Sequence, residues 1–523
     1  MDRTAMWVLL FLVLAGQTLG QKGNMEAYFK QLLTDDFNKE AVYLTQCMKK
    51  SGIEAAKRKS KVSLFEAVAG VEAYSGYITV DKTYNSNFFF LYTKTKNGNG
   101  NTPIILWLQG GPGKSSLFGQ FLENGPVGIN GSGHFYAREQ NLQAQFDVLY
   151  LDQPIGSGYS FTMNTTGYST RLEHIVKNIM NFLKQFGNLF LKDERDFYVA
   201  GEGFGARVAV ALSHHLIEAK KRKKAELPLR LQGTICGAGH FGPVLPERDV
   251  SDLYHEAGLL DLIGYDQAKH NFESASHLIE THQALQSYVL VRQTSKFLEK
   301  FTGAEYDGNI LQPSIPPEHK YFYKLCQSKE FKVMFHVGLQ ATFSTMSSIV
   351  TTFLSEDYTR DLSDLLSKVL NSDLKVLVYL GQLDPLLCMP CSENFFRSLK
   401  WDCAEAFNTA LSNFWRLEPD DDDFVGYIRS IRTFTFLILK NVGHYPGFDR
   451  ADVVQKMMDN FVLDQQFHQD RDMGELMKLF QSNPLPSATR AIINPLCYGD
   501  RTSKVKDAPL TKDTEFNLKL HVS

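Results

Sequence analysis

The apolar run Phe197-Tyr198-Val199-Ala200 passes directly into Gly201-Glu202-Gly203-Phe204-Gly205 and then into an Ala- and Val-rich stretch. The run fits a strand and the stretch beyond Gly205 fits a helix, so five residues must turn the chain sharply from one to the other. A turn this tight forces its central residue into a backbone conformation that side chains rarely adopt. In enzymes built on it, that residue is a nucleophilic Ser, exposed at the top of a sheet. Here the central residue is Gly203. Three readings are open at this point: a nucleophile located elsewhere, a nucleophile that has been lost, or an unrelated turn.

The rest of the chain fits an α/β protein. Short apolar runs bounded by Gly and Pro recur at Ile104–Leu108, Val148–Leu151, Phe197–Ala200, Lys375–Leu380 and Phe434–Leu439. Runs of this kind are expected of central strands covered on both faces. Residues 73–80 and 88–92 read as two further strands joined through Asn85-Ser86-Asn87. Leu172, Ile175, Val176, Ile179, Phe182, Leu183 and Phe186 repeat at helical spacing, which predicts a helix laid on the sheet. Residues 242–373 are mostly helical in pattern and polar, as expected of an insertion capping the sheet. Residues 464–523 carry scattered charges and prolines and read as a peripheral tail.

With 43% hydrophobic and 22% charged residues among 523, the chain can bury a large core, and a formal net charge of −3 argues against nucleic-acid or anionic-membrane partners. Arg3, the apolar run Met6–Ala15 and the small residues ending at Gly20 predict a signal peptide over 1–20. Its apolar run is shorter than the roughly 20 residues a membrane anchor needs. Residues 21–60 then form a short helix-compatible segment ahead of the main domain, 61–463. Passage through the secretory pathway would make Asn130 and Asn164, each in an Asn-x-Ser/Thr triplet, glycosylation sites. Of seven cysteines (47, 236, 326, 388, 391, 403 and 497), the Cys388-Met389-Pro390-Cys391 pair lacks a second ligand pair at metal spacing and reads as structural cysteines in a loop. The basic run Lys220–Lys224 complements a helix C-terminus, and Asp420–Asp423 reads as a solvated turn. No metal or cofactor is expected.

Four segments carry chemistry. Trp107-Leu108-Gln109-Gly110-Gly111-Pro112-Gly113 leaves a strand in a Gly-rich turn whose N–H groups are free to face a cavity. The elbow is the second segment; Asp384 ends the strand-like Val378–Asp384, and His444 follows the last strand-like run. The order elbow, Asp, His along the chain is that of the α/β-hydrolase fold, with a central mixed sheet flanked by helices. On these residues the chain resembles the serine carboxypeptidases and, within them, looks closest to the vitellogenic-like carboxypeptidases. The stretches SGYITVDKTYNSNFFF, PIILWLQGGPGKSSLFGQFLENGP, VLYLDQPIGSGYSF, DFYVAGEGFGARVA, VLVYLGQLD and VGYIR carry the likeness, which runs from about Ser75 to Val462.

The resemblance implies an enzyme that removes single residues from peptide C-termini in acid, without a cofactor. Asp384 would orient His444 as general base, and the N–H groups of Gly111 and Phe204 would form the oxyanion hole. Gln109, Gly110 N–H and Glu202, with Glu123 paired to Glu202, would hold the C-terminal carboxylate. The nucleophile does not carry over, because Gly203 stands where the family has Ser. Ala238 also replaces the polar residue of a Gly-Asp/Asn-Gly motif, and the proline after His444 is displaced by one position, to Pro446. Ser115 and Ser116 lie past the Gly-rich turn, where nothing in the pattern aims them at His444. The reading is a secreted or lysosomal/vacuolar pseudoenzyme whose partners are peptide or protein C-termini. Its rivals are an active acid carboxypeptidase with an unforeseen nucleophile and an interaction or storage protein with a vestigial pocket.

Overall fold

The computed structural model describes residues 40–96, 98, 100–222, 227–242 and 248–470. The signal-peptide reading and most of the tail lie outside them. Among the described residues thirteen strands run in chain order as β1 (Ala73–Asp81), β2 (Ser86–Thr93), β3 (Ile104–Leu108), β4 (Val127–Ile129), β5 (Phe135–Ala137), β6 (Asp147–Leu151), β7 (Arg195–Glu202), β8 (Leu229–Gly237), β9 (Lys375–Gly381), β10 (Asn413–Arg416), β11 (Gly426–Ile431), β12 (Phe434–Leu439) and β13 (His468–Asp470). Eleven of these form one sheet in the order β1-β2-β6-β3-β7-β8-β9-β12-β11-β10-β13, and β4 and β5 form a separate hairpin. Its centre, from β6 through β3, β7, β8 and β9 to β12, is parallel, and both margins are antiparallel. The architecture is that of an α/β-hydrolase.

The central strands are apolar on both faces because helices cover both. On one face the helix Leu172–Phe190 turns Leu172, Ile175, Ile179, Phe182, Leu183 and Phe186 inward. There Phe182 and Phe186 meet Phe90 edge-on, with ring centroids 5.5 and 6.3 Å apart. The elbow helix Phe204–Lys221 lies on the same face, its first ten residues buried and its last turn ending in Lys220 and Lys221. On the other face the helix Ala451–Val462 buries Val453, Val454, Met457 and Met458 against Tyr198 and Leu437.

Between β8 and β9 the described residues are mostly helical. The helices Leu262–Glu280 and Ala284–Thr302 pack on each other through Ala268, Phe272, Ala275, Val291 and Leu298, and the second supplies Arg292, Ser295, Lys296, Leu298 and Glu299 to the cleft at the C-terminal ends of the parallel strands.

Two expectations are corrected. Cys388 and Cys391 are structural, bridged to each other, but their setting is not simply a loop: Cys388 caps the helix Met389–Ser398 and Cys391 lies in its first turn, where the intervening Pro390 occupies a position with no backbone donor to lose. The segment assigned to the tail from 464 onward still contributes β13, which pairs with β10 through Phe414 and Asp470. Three residues without an apolar alternation carry no strand signal of their own, so this edge exists only because β10 offers a free ladder.

Candidate active site

Parallel strands present their C-terminal ends to one side of the sheet, and ligand sites of open α/β sheets lie there. Gln109 follows β3, Glu202 ends β7 with Gly203 beyond it, Ala238 follows β8, Asp384 lies three residues past β9, and His444 lies five past β12. Residues spread over 335 positions, from Gln109 to His444, thus meet at one cleft of about 180 Å³, lined among others by Gln109, Gly110, Gly111, Glu202, Gly203, Phe204 and His444.

The elbow is a close-packed turn with one open point. A Cβ at Gly201 would collide with the carbonyl of Gly205, and one at Gly205 with the carbonyl of Leu108, so both glycines are required by space. Gly203 differs. Its φ is +54° and its ψ −122°, a conformation side chains strain to adopt, yet a Cβ placed there would meet only Gly110 Cα at 3.7 Å and His444 Nε2 at 3.9 Å. Backbone angle, not crowding, is what glycine relieves at this point. The open space faces the imidazole.

His444 Nδ1 lies 2.8 Å from Asp384 Oδ2, and Asp384 is held from behind by the N–H groups of Leu386 and Leu387, which donate to Oδ1 at 2.8 and 3.1 Å. The displaced proline does not spoil this arrangement. Gly443 N–H donates to Asp449 Oδ2 at 2.7 Å, Asn309 Nδ2 donates to the same oxygen at 2.8 Å, and His444 N–H donates to Gly308 O at 2.6 Å. The loop is therefore pinned from the insertion side. At the other wall, Phe204 opens the elbow helix, so its N–H has no intrahelical partner. Gly110 packs beside it, with no room for a Cβ between it and the Phe204 N–H.

Gln109, Glu123 and Glu202 meet beneath this point, all nearly fully buried. Gln109 Nε2 donates to Glu123 Oε1 at 3.2 Å and to Glu202 Oε2 at 3.3 Å, while Gln109 Oε1 accepts from Trp107 Nε1 at 2.8 Å, which fixes the amide orientation. Tyr379 donates to Glu202 Oε1 at 2.8 Å. Glu123 is presented by a single π-helical turn, Gly119–Asn124. Burial first, and then the charge of Glu202, holds the Glu123 carboxyl well above the usual range. Burial also raises Glu202, but hydrogen bonds from Glu123 and Tyr379 favour its ionised form and limit the rise. No protein donor reaches Glu123 Oε2, which suits an oxygen that carries a proton of its own. Burial and their mutual hydrogen bond thus favour a proton shared between the two carboxyls.

Ser115 and Ser116 are committed elsewhere. Ser115 Oγ donates to Asp152 Oδ1 at 2.6 Å, and Ser116 Oγ donates to Leu151 O at 2.6 Å while accepting from Gln109 N. Asn130 and Asn164 are exposed, each closing a small turn in which its Oδ1 accepts an N–H from the residue two positions on. Pattern reasoning passed over further groups: Tyr306, Tyr445 and Lys114 line the cleft, and Tyr379 backs Glu202 from the core. Lys114 was visible as the first residue after the Gly-rich turn, but no spacing rule marks it. The tyrosines are ordinary core residues until the fold brings them here.

The match to known proteins covers most of the chain. Residues 64–464 fit the family model described as serine carboxypeptidase. A venom serine carboxypeptidase of Apis mellifera is 30% identical over 80% of this chain and 90% of its own. A vitellogenic carboxypeptidase of Aedes aegypti is 31% identical over 81% of this chain and 90% of its own. Among solved structures, the prohormone-processing carboxypeptidase Kex1(delta)p of Saccharomyces cerevisiae superposes with a TM-score of 0.67 at 22% identity, over 78% of this chain and 96% of that one.

Proposed function

The chain belongs to the serine carboxypeptidase family, and from that premise we propose that it is a catalytically impaired member that binds peptide C-termini. The observation that carries the reading is Gly203. His444, oriented by Asp384, faces an open space at the elbow where the turn supplies no Oγ. Covalent catalysis needs a nucleophile within hydrogen-bond reach of the base, and the two serines nearby are tied to Asp152 and Leu151. A base and an oxyanion hole without the nucleophile leave a residual acceleration of about 10³–10⁴ over water in a serine protease. That is far below the rate of a working peptidase.

The binding apparatus is the part that persists. In this reading a C-terminal carboxylate accepts from Gln109 Nε2, from Gly110 N–H and from the shared proton of Glu123 and Glu202. The carbonyl of the last peptide bond points at the N–H groups of Gly111 and Phe204. Because a proton of the carboxyl pair takes part, binding strengthens in acid. That fits a lysosomal/vacuolar or acidified extracellular destination reached through the secretory pathway. Among the described residues no helix is long and apolar enough to cross a membrane.

The test combines labelling, hydrolysis and binding. A serine-directed active-site probe should leave the protein unlabelled, and a peptide with a free C-terminus should bind without being shortened. Steady release of C-terminal residues would instead establish an active acid carboxypeptidase. Failure to bind any peptide acid would leave the interaction or storage reading in place.

A further inference from the structure

Lys114 stands in the wall of the same cleft, 8% exposed, next to the carboxyl anchor but not part of it. Its own N–H donates to Gly110 O at 3.1 Å, so the residue is tied to the turn that follows Gln109. Its ammonium donates to Tyr445 Oη at 2.6 Å and lies 4.1 Å from the ring centroids of both Phe118 and Tyr445. An ammonium has three N–H groups and one is used. The carboxylates that act on it, Asp307, Glu123 and Glu202, do so through their fields, without a hydrogen bond. Burial pushes this ammonium below its usual range and the fields of those carboxylates oppose the fall; held by two aromatic faces and a neutral hydroxyl, with no carboxylate in contact, it has unused N–H groups for an incoming anion.

The neighbouring wall has spare capacity too. Tyr306 lines the cleft at 4% exposure, and its hydroxyl has no hydrogen-bond partner. His319 packs on Tyr306 and Phe118 with ring centroids 5.3 and 5.0 Å apart, and burial followed by the charge of Lys114 holds its imidazole down to about 3. His319 is therefore neutral, leaving Lys114 as the basic group of this recess. Asp307 is exposed and makes no ion pair with it.

We propose that this recess takes the side-chain carboxylate of an acidic C-terminal residue. The α-carboxylate of a ligand peptide would sit at Gln109, Glu202 and Glu123, and the side chain of a terminal Glu or Asp would accept from Lys114 Nζ and the Tyr306 hydroxyl. The inference rests on the C-terminal binding proposed above and adds the class of ligand.

Three fluorescent peptides identical except for a last residue of Glu, Gln or Leu, all with a free α-carboxylate, separate the two claims. The Glu peptide should bind the wild-type protein about tenfold more tightly than the Gln peptide, the scale of one charge-assisted hydrogen bond. Lys114→Met should bring that ratio close to one while keeping the affinity for the Leu peptide. Equal binding of the Glu and Gln peptides by wild type would refute the inference and leave C-terminal binding standing. No binding of any of the three would refute both. If Lys114→Met weakens all three alike, Lys114 holds the α-carboxylate or the fold, and the side-chain assignment is wrong. The Glu-to-Gln ratio in wild type needs no variant, so it stands even if Lys114→Met does not fold.

Discussion

Replacing Gly203 with Ser tests whether the elbow has lost only its nucleophile. The space is present: a Cβ at this position lies 3.9 Å from His444 Nε2 and 3.7 Å from Gly110 Cα, ordinary contact distances. A hydroxyl one bond further on comes within the roughly 2.6–3.2 Å of Nε2 that proton transfer needs, in the rotamer that points it at the ring. The cost is in the backbone. At φ +54° a non-glycine residue is strained by about 1–3 kcal/mol, which should appear as a lower melting temperature of the folded variant. The gain can be far larger, since deleting the nucleophile of a serine protease lowers kcat by about 10⁶ and partial recovery of that factor is measurable.

The assay is release of the C-terminal residue from a blocked dipeptide in acid, with covalent labelling by a serine-directed probe. Gly203→Ser should gain both, and Gly203→Ser combined with His444→Ala should lose them. Gly205→Ala serves as the steric contrast: its Cβ would run into the Leu108 carbonyl, so that variant should fail to fold stably although the change is smaller. A folded Gly203→Ser protein that neither cleaves nor labels would refute the idea of an otherwise intact triad. Hydrolysis by the wild-type protein that survives His444→Ala would place the chemistry elsewhere altogether.

Other outcomes follow from the same geometry. A peptide acid should bind more tightly in acid than at neutral pH, because the Glu123–Glu202 pair loses its shared proton as pH rises and then repels the ligand; amidating the peptide, or changing Gln109→Ala, should cost about 1–3 kcal/mol in a fluorescence titration. Burial raises Asp459 from 3.8 to about 6, so the folded protein holds a proton there that the unfolded chain has released, and its contribution to stability falls as pH rises between those values. Asp459→Asn should therefore gain melting temperature relative to wild type from about pH 4 to pH 6 and hold a constant difference above; a difference independent of pH would refute the assignment. Protein expressed through a secretory pathway should begin near Gln21 and carry glycan on Asn130, Asn164 or both, which mass spectrometry before and after deglycosylation will read.

Most strands of the sheet centre were legible because a strand buried on both faces tends to be continuously apolar. Residues 104–108 and 434–439 announce themselves for that reason, and the helix from Leu172 does so by its period. β8 was not legible although it is central: in Leu229–Gly237 the alternation Leu229-Arg230-Leu231-Gln232 lasts only four residues before Gly233 and Thr234 break it, and no continuous apolar run follows. β10, β11 and β13 belong to the antiparallel margin, where half-buried strands are short and their existence depends on the neighbour that accepts their hydrogen bonds. The bridging of Cys388 to Cys391 likewise needed the helix start between them.

At the site, identity and order were local properties, and geometry was not. Gly203 in its turn, Asp384 and His444 at strand ends, and Gln109 in a Gly-rich turn could be named from sequence, since strand-end placement in a parallel sheet follows from chain order alone. The sequence could also say that the central residue of the elbow, Gly203, has no side chain to serve as a nucleophile. It could not say that glycine there relieves strain rather than crowding, because that depends on how closely Leu108, Gly110 and His444 approach the turn. Nor could it single out Lys114. A lysine is normally solvated, and this one is a buried charge only because Tyr445, 331 residues further along the chain, and the ring of Phe118 close over it. Desolvation is set by neighbours in space, so the property that makes Lys114 a candidate for recognising an acidic residue exists only in the folded molecule.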